Sequence, residues 1–191
     1  IPGRLESSRL PNKLLLELDD KAIITRVIEN CLKAFHRKKI IFCSDNKKLC
    51  DKAKESGIQT IITKKECQSG SERIASICEE LIRRANNINP NKEYIDKEIT
   101  KNTLIINVQG DQPFLDPNLI KEMINFCFRN KNIPLLTTPI YKLDDQNIHN
   151  PNVVKTLLNK DNQAIYFSRS AIPHIRGVDE KYWHKYHTYY G

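Results

Sequence analysis

Short apolar runs alternate with stretches of helical periodicity along this chain, and that alternation limits the possible folds more than any other feature. Residues 39–43 (Lys-Ile-Ile-Phe-Cys) read as a strand that ends at Ser44-Asp45. Residues 58–62 read as a second strand, and 103–108 (Thr-Leu-Ile-Ile-Asn-Val) as a third. The third is β-branched and aliphatic, which suits a sheet buried on both faces. Ahead of the first strand, residues 21–35 carry Ile24, Val27, Ile28, Cys31 and Leu32 near helical spacing. Residues 46–56 read as a short helix closed by Gly57. A helix over 71–86 places Ile74, Ile77, Cys78 and Leu81 on one side, and Ser69 and Glu72 have capping-box spacing at its start. A helix over 117–130 comes next, with strands expected near 134–141, at 153–158 and at 164–168. This order predicts an α/β fold: a Rossmann-like, mostly parallel sheet with helices on both faces. Residues 1–16 read as a loop, and the polar stretch 87–102 as a surface insertion.

A length of 191 residues suits a single domain spanning 1–191. The chain looks cut at both ends: it opens at Ile1-Pro2-Gly3-Arg4 without Met or a preceding strand, and stops at Tyr189-Tyr190-Gly191. Nothing resembles a signal peptide, and no apolar run approaches membrane-spanning length, so no membrane partner is expected. The six cysteines form no Cys-x-x-Cys pair and no zinc-spaced group with histidine. Scattered buried thiols in a reducing cytoplasm are the expectation. The net charge of +8 suits anionic partners. The basic residues do not gather on one expected helix, however, and no nucleic-acid-reading motif is visible, so no nucleic acid is expected.

Four motifs and a turn carry the chemistry, each with a plainer alternative. The turn is Gln109-Gly110-Asp111-Gln112-Pro113, after the third strand. In open parallel sheets ligands bind beyond the carboxyl ends of strands, so Asp111 either holds Mg²⁺ on a substrate phosphate or caps the next helix. The N-terminal loop, Ile1 to Lys13, holds Arg4, Arg9 and Lys13 and can wrap a triphosphate, or is a basic surface loop. It is not a P-loop. Gln68-Ser69-Gly70-Ser71-Glu72-Arg73 runs into a helix start and either reads a planar base or serves only as a capping box. Ser44-Asp45 is either a wall of the same site or, for Asp45, a helix N-cap. The fourth motif joins Asn150-Pro151-Asn152-Val153-Val154-Lys155 with Tyr166-Phe167-Ser168-Arg169-Ser170-Ala171-Ile172-Pro173. There Arg169 either clamps a carboxylate or is a surface arginine.

In this order these segments resemble the 3-deoxy-manno-octulosonate cytidylyltransferase family, the CMP-Kdo synthetases. The resemblance runs from Ile1 to about Pro173. The N-terminal loop is similar to the family's Ile-Pro-Ala-Arg-x-x-Ser-Thr-Arg-Leu-Pro-x-Lys, and 68–73 to its Gln-Ser-Gly-Thr-Glu-Arg. Residues 107–113 are similar to its Asn-Val-Gln-Gly-Asp-Glu-Pro. The resemblance implies a nucleotide-diphospho-sugar transferase type of fold and a nucleotidyltransferase reaction. In that reaction the anomeric hydroxyl of Kdo attacks the α-phosphate of CTP, giving CMP-Kdo and pyrophosphate for lipopolysaccharide biosynthesis. It implies that Arg4, Arg9 and Lys13 bind triphosphate and that Ser69, Gly70, Ser71 and Arg73 form the cytidine pocket. Asp111 would bind Mg²⁺, Gln109 and Arg169 would face the sugar, and the full-length protein would be a cytoplasmic homodimer. It further implies a second metal-binding aspartate beyond Gly191, which would leave half of the metal site in this chain.

This sequence departs from the pattern at Gly3 (Ala in the family), Asn12 (Gly), Ser71 (Thr) and Gln112 (Glu). Residues 184–191 match poorly, and His184 and His187 receive no role. The nearest competing reading is a cytidylyltransferase for another acidic sugar of the sialic-acid type, and the competing reading from another class is a basic nucleic-acid-binding module.

Overall fold

The strand Ile41–Ser44 lies at the centre of the expected parallel sheet. In a computed structural model, which describes residues 1–5, 10–64, 67–130, 136–174, 176 and 188–190, the chain divides into two units, Ile1–Phe126 and Cys127–Gly191. The first unit opens with β1 (Pro2–Gly3), a 3-10 turn at Lys13–Leu15, and the small antiparallel pair β2 (Glu17–Leu18) and β3 (Lys21–Ala22). Helix α1 (Ile23–Ala34), strand β4 (Ile41–Ser44), helix α2 (Lys47–Lys54) and strand β5 (Gln59–Ile62) come after them. Strands β1, β4 and β5 pair in parallel in the order β1-β4-β5. Helices α3 (Gly70–Ser76), α4 (Cys78–Ala85), α5 (Lys97–Lys101) and α6 (Pro117–Arg129) complete the helical set among the described residues.

The period-two geometry of β4 puts helices on both faces of this sheet. Phe42 points into a core with Ile24, Val27 and Ile28 of α1 and Leu49, Cys50 and Ala53 of α2. Ile41 and Cys43 point the other way, with Ile61 of β5, against Ile74, Ile77 and Leu81 of the α3–α4 segment. Phe42, Ile24, Val27, Ile28 and Leu49 are fully buried. Each such side chain contributes about 1.5–3 kcal/mol relative to exposure.

Three expectations need correction. The helix expected over 71–86 is two helices, broken at Ile77 with φ −124° and ψ 18°. Ser76 causes the break chemically: its hydroxyl donates to the Arg73 carbonyl at 2.8 Å and competes with the helical ladder. The strand expected at 103–108 joins no ladder among the described residues. A β-branched run gives an extended backbone, but pairing needs a neighbour of matching length, and β1 has two residues. The end of the segment docks through Val108, which is buried, and Ile106, while Leu104 and Ile105 stay exposed. In place of the strand expected near 134–141 there is the two-residue strand β6 (Tyr141–Lys142); residues 131–135 lie outside the described residues.

The second unit holds an antiparallel sheet in the order β6-β9-β7-β8, with β7 (Lys155–Leu158), β8 (Ala164–Ser168) and β9 (Thr188–Tyr190). The strands expected at 153–158 and 164–168 are therefore present and form a hairpin. Asn159 shapes its turn, accepting from the Asp161 and Gln163 amides at 2.9 Å, while Asn162 takes the left-handed φ of 59°. The stretch 87–102 is largely exposed, as expected of an insertion, and contains α5 behind the Asp96 N-cap.

Candidate functional site

A cavity of about 320 Å³ opens at the carboxyl end of β1, and three chain segments supply its walls. Pro2, Gly3, Arg4, Lys13 and Leu14 come from the N-terminal loop. Cys67, Gln68, Ser69, Gly70 and Arg73 come from the entry and first turn of α3. Gln109, Gly110 and Asp111 come from the turn after the extended segment. Arg4, Lys13, Ser69, Gly70, Arg73 and Asp111, expected at the nucleotide and its metal, and Gln109, expected to face the sugar, are thus brought together within the first unit. Ser71 does not line the cavity; it is exposed, and its hydroxyl accepts from Asn107 Nδ2 at 3.5 Å. Arg9 lies outside the described residues, as do residues 177–187, which contain His184 and His187.

Glycine makes this convergence possible at two points. A Cβ on Gly110 would sit 2.9 Å from the Pro2 carbonyl oxygen, and one on Gly70 would sit 2.9 Å from Pro2 Cγ and 3.1 Å from Gln109 Oε1. Both turns therefore approach β1 more closely than any residue with a side chain allows. Gly3 shows the same economy on the core side: a Cβ there would meet the Phe42 ring at 2.5 Å and Leu14 Cδ1 at 2.9 Å. The departure from alanine at this position is explained by the phenylalanine behind it.

The acid and the base of the cavity face each other. Lys13 Nζ lies 2.8 Å from Asp111 Oδ2, and both side chains are partly exposed. Asp111 does not act as a helix cap in this arrangement; its carboxylate is turned to Lys13. A single carboxylate beside a basic loop suits a cation such as Mg²⁺, which takes one or two protein carboxylates and completes its shell with substrate phosphates and water. Among the described residues no group of three or more His, Cys, Asp or Glu side chains could hold a metal without such a substrate.

On its own wall of the cavity, α3 begins with a reciprocal cap. Ser69 Oγ accepts from the Glu72 amide at 3.1 Å, and Glu72 Oε2 accepts from the Gln68 amide at 2.7 Å. Gln109 lies beside this turn, with its Oε1 3.1 Å from where a Gly70 Cβ would sit, while its Nε2 donates to Asn107 Oδ1 on its own segment at 3.0 Å. Arg73 is buried, and its guanidinium is shared among three partners. Nη1 donates to Thr63 Oγ1 and to the Lys64 carbonyl, and Nη2 lies 3.3 Å from Asp45 Oδ2. The N-cap reading of Asp45 is thereby corrected. Asn46 caps α2, accepting from the Lys48 and Leu49 amides, and Asp45 turns to Arg73 instead. The pattern of residues gave no warning of this pair, because its members lie 28 positions apart.

In the second unit, Arg169 is exposed and donates from Nη1 to the Pro151 carbonyl at 2.9 Å. Lys155, fully buried, donates to the carbonyls of Asn150, Val153 and Arg169 at 2.8, 2.9 and 2.6 Å. Burial, and then the charge of Arg169, hold its ammonium below the ordinary lysine range. The motif Asn150–Lys155 thus folds onto the start of Ser168-Arg169-Ser170, a role its residue types alone did not reveal.

A sequence model of the family described as "Cytidylyltransferase" matches residues 1–190. A 3-deoxy-manno-octulosonate cytidylyltransferase of Chloroherpeton thalassium is 35% identical over 181 residues, covering 94% of this chain and 66% of that protein. Enzymes of the same name from Francisella tularensis subsp. tularensis and Legionella pneumophila are each 36% identical, over 182 and 183 residues, with 95% of this chain and 66% of theirs covered. The chain thus spans just under two thirds of the length of these relatives. A solved structure of CMP:2-keto-3-deoxy-manno-octonic acid synthetase complexed with CTP superposes with a TM-score of 0.71 over 99% of this chain and 68% of that one. At 24% identity, that likeness bears on the fold alone, and it bears out the expected α/β class. The chain belongs to the cytidylyltransferase family, among whose members its matched relatives are 3-deoxy-manno-octulosonate cytidylyltransferases.

Proposed function

We propose that this protein transfers the CMP moiety of CTP to the anomeric hydroxyl of 3-deoxy-manno-octulosonate, releasing pyrophosphate. The observation that carries the reading is the cavity in which Arg4, Lys13 and Asp111 converge with the capped start of α3. Such a site offers a basic loop for a triphosphate and a capped helix start with hydrogen-bonding groups for a base. The names of the relatives and their identity over most of this chain support the choice of cytidine and of Kdo.

In this reading Arg4 and Lys13 hold the triphosphate oxygens and orient the α-phosphorus for in-line attack. Positioning and charge compensation are most of what a phosphoryl-type transfer needs from its protein. Asp111 would hold Mg²⁺, which when bound supplies charge neutralisation on the phosphate oxygens. Ser69, Gly70 and Arg73 form the base pocket, and Gln109, from the same turn as Asp111, faces the sugar. By the family resemblance alone, Arg169 would serve the sugar's carboxylate through its planar fork. No helix among the described residues is long and apolar enough to cross a membrane. A cytoplasmic homodimer supplying lipopolysaccharide biosynthesis is the setting that the family resemblance supports.

The test is pyrophosphate release from CTP by the protein at its full native length, with Kdo or a sialic acid, and with and without Mg²⁺. Release that requires both Kdo and Mg²⁺ is expected. Turnover with sialic acid and none with Kdo would overturn the sugar assignment, and absence of CTP binding would overturn the reading as a whole.

A further inference from the structure

We infer that Asp45 is a positioning residue for the nucleotide site, acting through Arg73, a role that rests on the reading of the α3 start as the base pocket. Arg73 lines the cavity, yet its side chain is only 3% exposed, because its guanidinium is anchored from behind. The anchors come from two different strand ends. Asp45 lies just past β4, and Thr63 and Lys64 just past β5; their Oδ2, Oγ1 and carbonyl oxygen accept from the two terminal nitrogens of Arg73. Asp45 is itself held, 18% exposed, with its other carboxylate oxygen 3.5 Å from Ser44 Oγ.

An arginine has four rotatable side-chain torsions, the last of which sets the plane of its head. Left to itself in a cavity it would sample several orientations, and a ligand would bear the cost of ordering it. Two acceptors on Nη1 and a charged one on Nη2 fix the plane before any ligand arrives. The Asp45 carboxylate also compensates a cation that would otherwise lie buried with only neutral partners. The same bonds tie the first turn of α3 to the ends of β4 and β5, so the backbone of Ser69 and Gly70 is held in register with the sheet. Asp45 therefore acts on the α3 wall of the cavity, through Arg73, and not through Arg4, Lys13 or Asp111.

That asymmetry gives the test a readout that a general loss of structure would not produce. Binding of CTP and of inorganic tripolyphosphate, each with Mg²⁺, is measured calorimetrically for the wild-type protein and for Asp45→Asn. The expected result is about tenfold weaker binding of CTP with tripolyphosphate affinity unchanged, the loss of one charge-assisted bond on the ordering of Arg73. Asp45→Glu, which keeps the carboxylate, is expected to recover part of the CTP affinity. If Asp45→Asn fails to fold, as judged by its thermal transition, Thr63→Val removes a different anchor of the same guanidinium and should show the same selective loss. Equal weakening of both ligands, or unchanged CTP affinity in a folded variant, would overturn the inference. If the wild-type protein bound tripolyphosphate but not CTP, the base-pocket reading would fail first, and the role of Asp45 with it.

Discussion

Lys13 and Asp111 stand 98 positions apart and 2.8 Å from each other, and the cavity depends on both. As an exposed pair they contribute little to stability, at most about 1 kcal/mol. Their value lies in placement: in the proposed function the lysine would bind phosphate oxygens and the carboxylate would hold the cation. Asp111→Asn should therefore leave the melting temperature nearly unchanged while lowering kcat about a hundredfold at saturating Mg²⁺. Near-normal turnover in that variant would remove Asp111 from the reaction. Gly3 presents the opposite case, a residue near the site whose importance is steric. Gly3→Ala should cost about 1–3 kcal/mol in urea unfolding, since the Phe42 ring occupies the space a methyl needs. Combining it with Phe42→Leu should recover part of that loss, and purely additive costs would count against the explanation. At this scale the sequence was informative wherever a motif bundled several residues: Arg4, Lys13, Ser69, Gly70 and Asp111 all reach one cavity. It offered Asp45 only as a possible wall of the site or a helix cap and gave no sign of its pairing with Arg73, because a contact between a strand end and a helix 28 positions on leaves no local pattern.

Elements were legible where hydrophobic period and length agreed. Helix α1 shows its apolar stripe at helical spacing, and the observed Ile23–Ala34 falls inside the expected 21–35. Legibility failed where a polar side chain or a missing neighbour decided the outcome. Ser76 breaks the helix after α3 through a bond that apolar periodicity cannot register. The 103–108 segment has the composition of a strand, but composition cannot supply a pairing partner. Strand β7 shows how much one buried side chain can organise. Lys155 has three ammonium protons and three carbonyl acceptors, so Lys155→Met would take that donor from the Val153 and Arg169 carbonyls and leave the Asn150 carbonyl with the Val153 amide. A loss of about 2–4 kcal/mol in urea unfolding is expected. An unchanged midpoint would show that water or a neighbouring group replaces the ammonium at no cost.

For the whole molecule, the six cysteines are free thiols, and Cys31, Cys43, Cys50 and Cys127 are buried, in line with the expectation of scattered reduced cysteines. Burial pushes Cys31 and Cys50 up to about 11 from an ordinary 9.0, and raises Cys43 in the same direction. The unfolded chain therefore releases these protons at lower pH than the folded one. Their contribution to stability is complete below pH 9 and is lost as pH climbs toward 11. Lys155, whose proton is held less tightly in the folded state, acts with the opposite sign, so the clean measurement is a difference between proteins. Urea midpoints of wild type and Cys31→Ala across that window should converge as pH rises, by about 1.4 kcal/mol per pH unit. Parallel curves would mean that the Cys31 thiol titrates alike in both states. The two cores that flank the parallel sheet meet in a single strand, β4, whose four residues are all buried. Phe42 answers to one helical layer, Ile41 and Cys43 to the other, while Ser44 Oγ turns to Asp45 and the Asn46 amide. A change of size at Ile41, Phe42 or Cys43 is therefore felt in a helix as well as in the sheet, and Gly3, pressed against the Phe42 ring, has no room to grow.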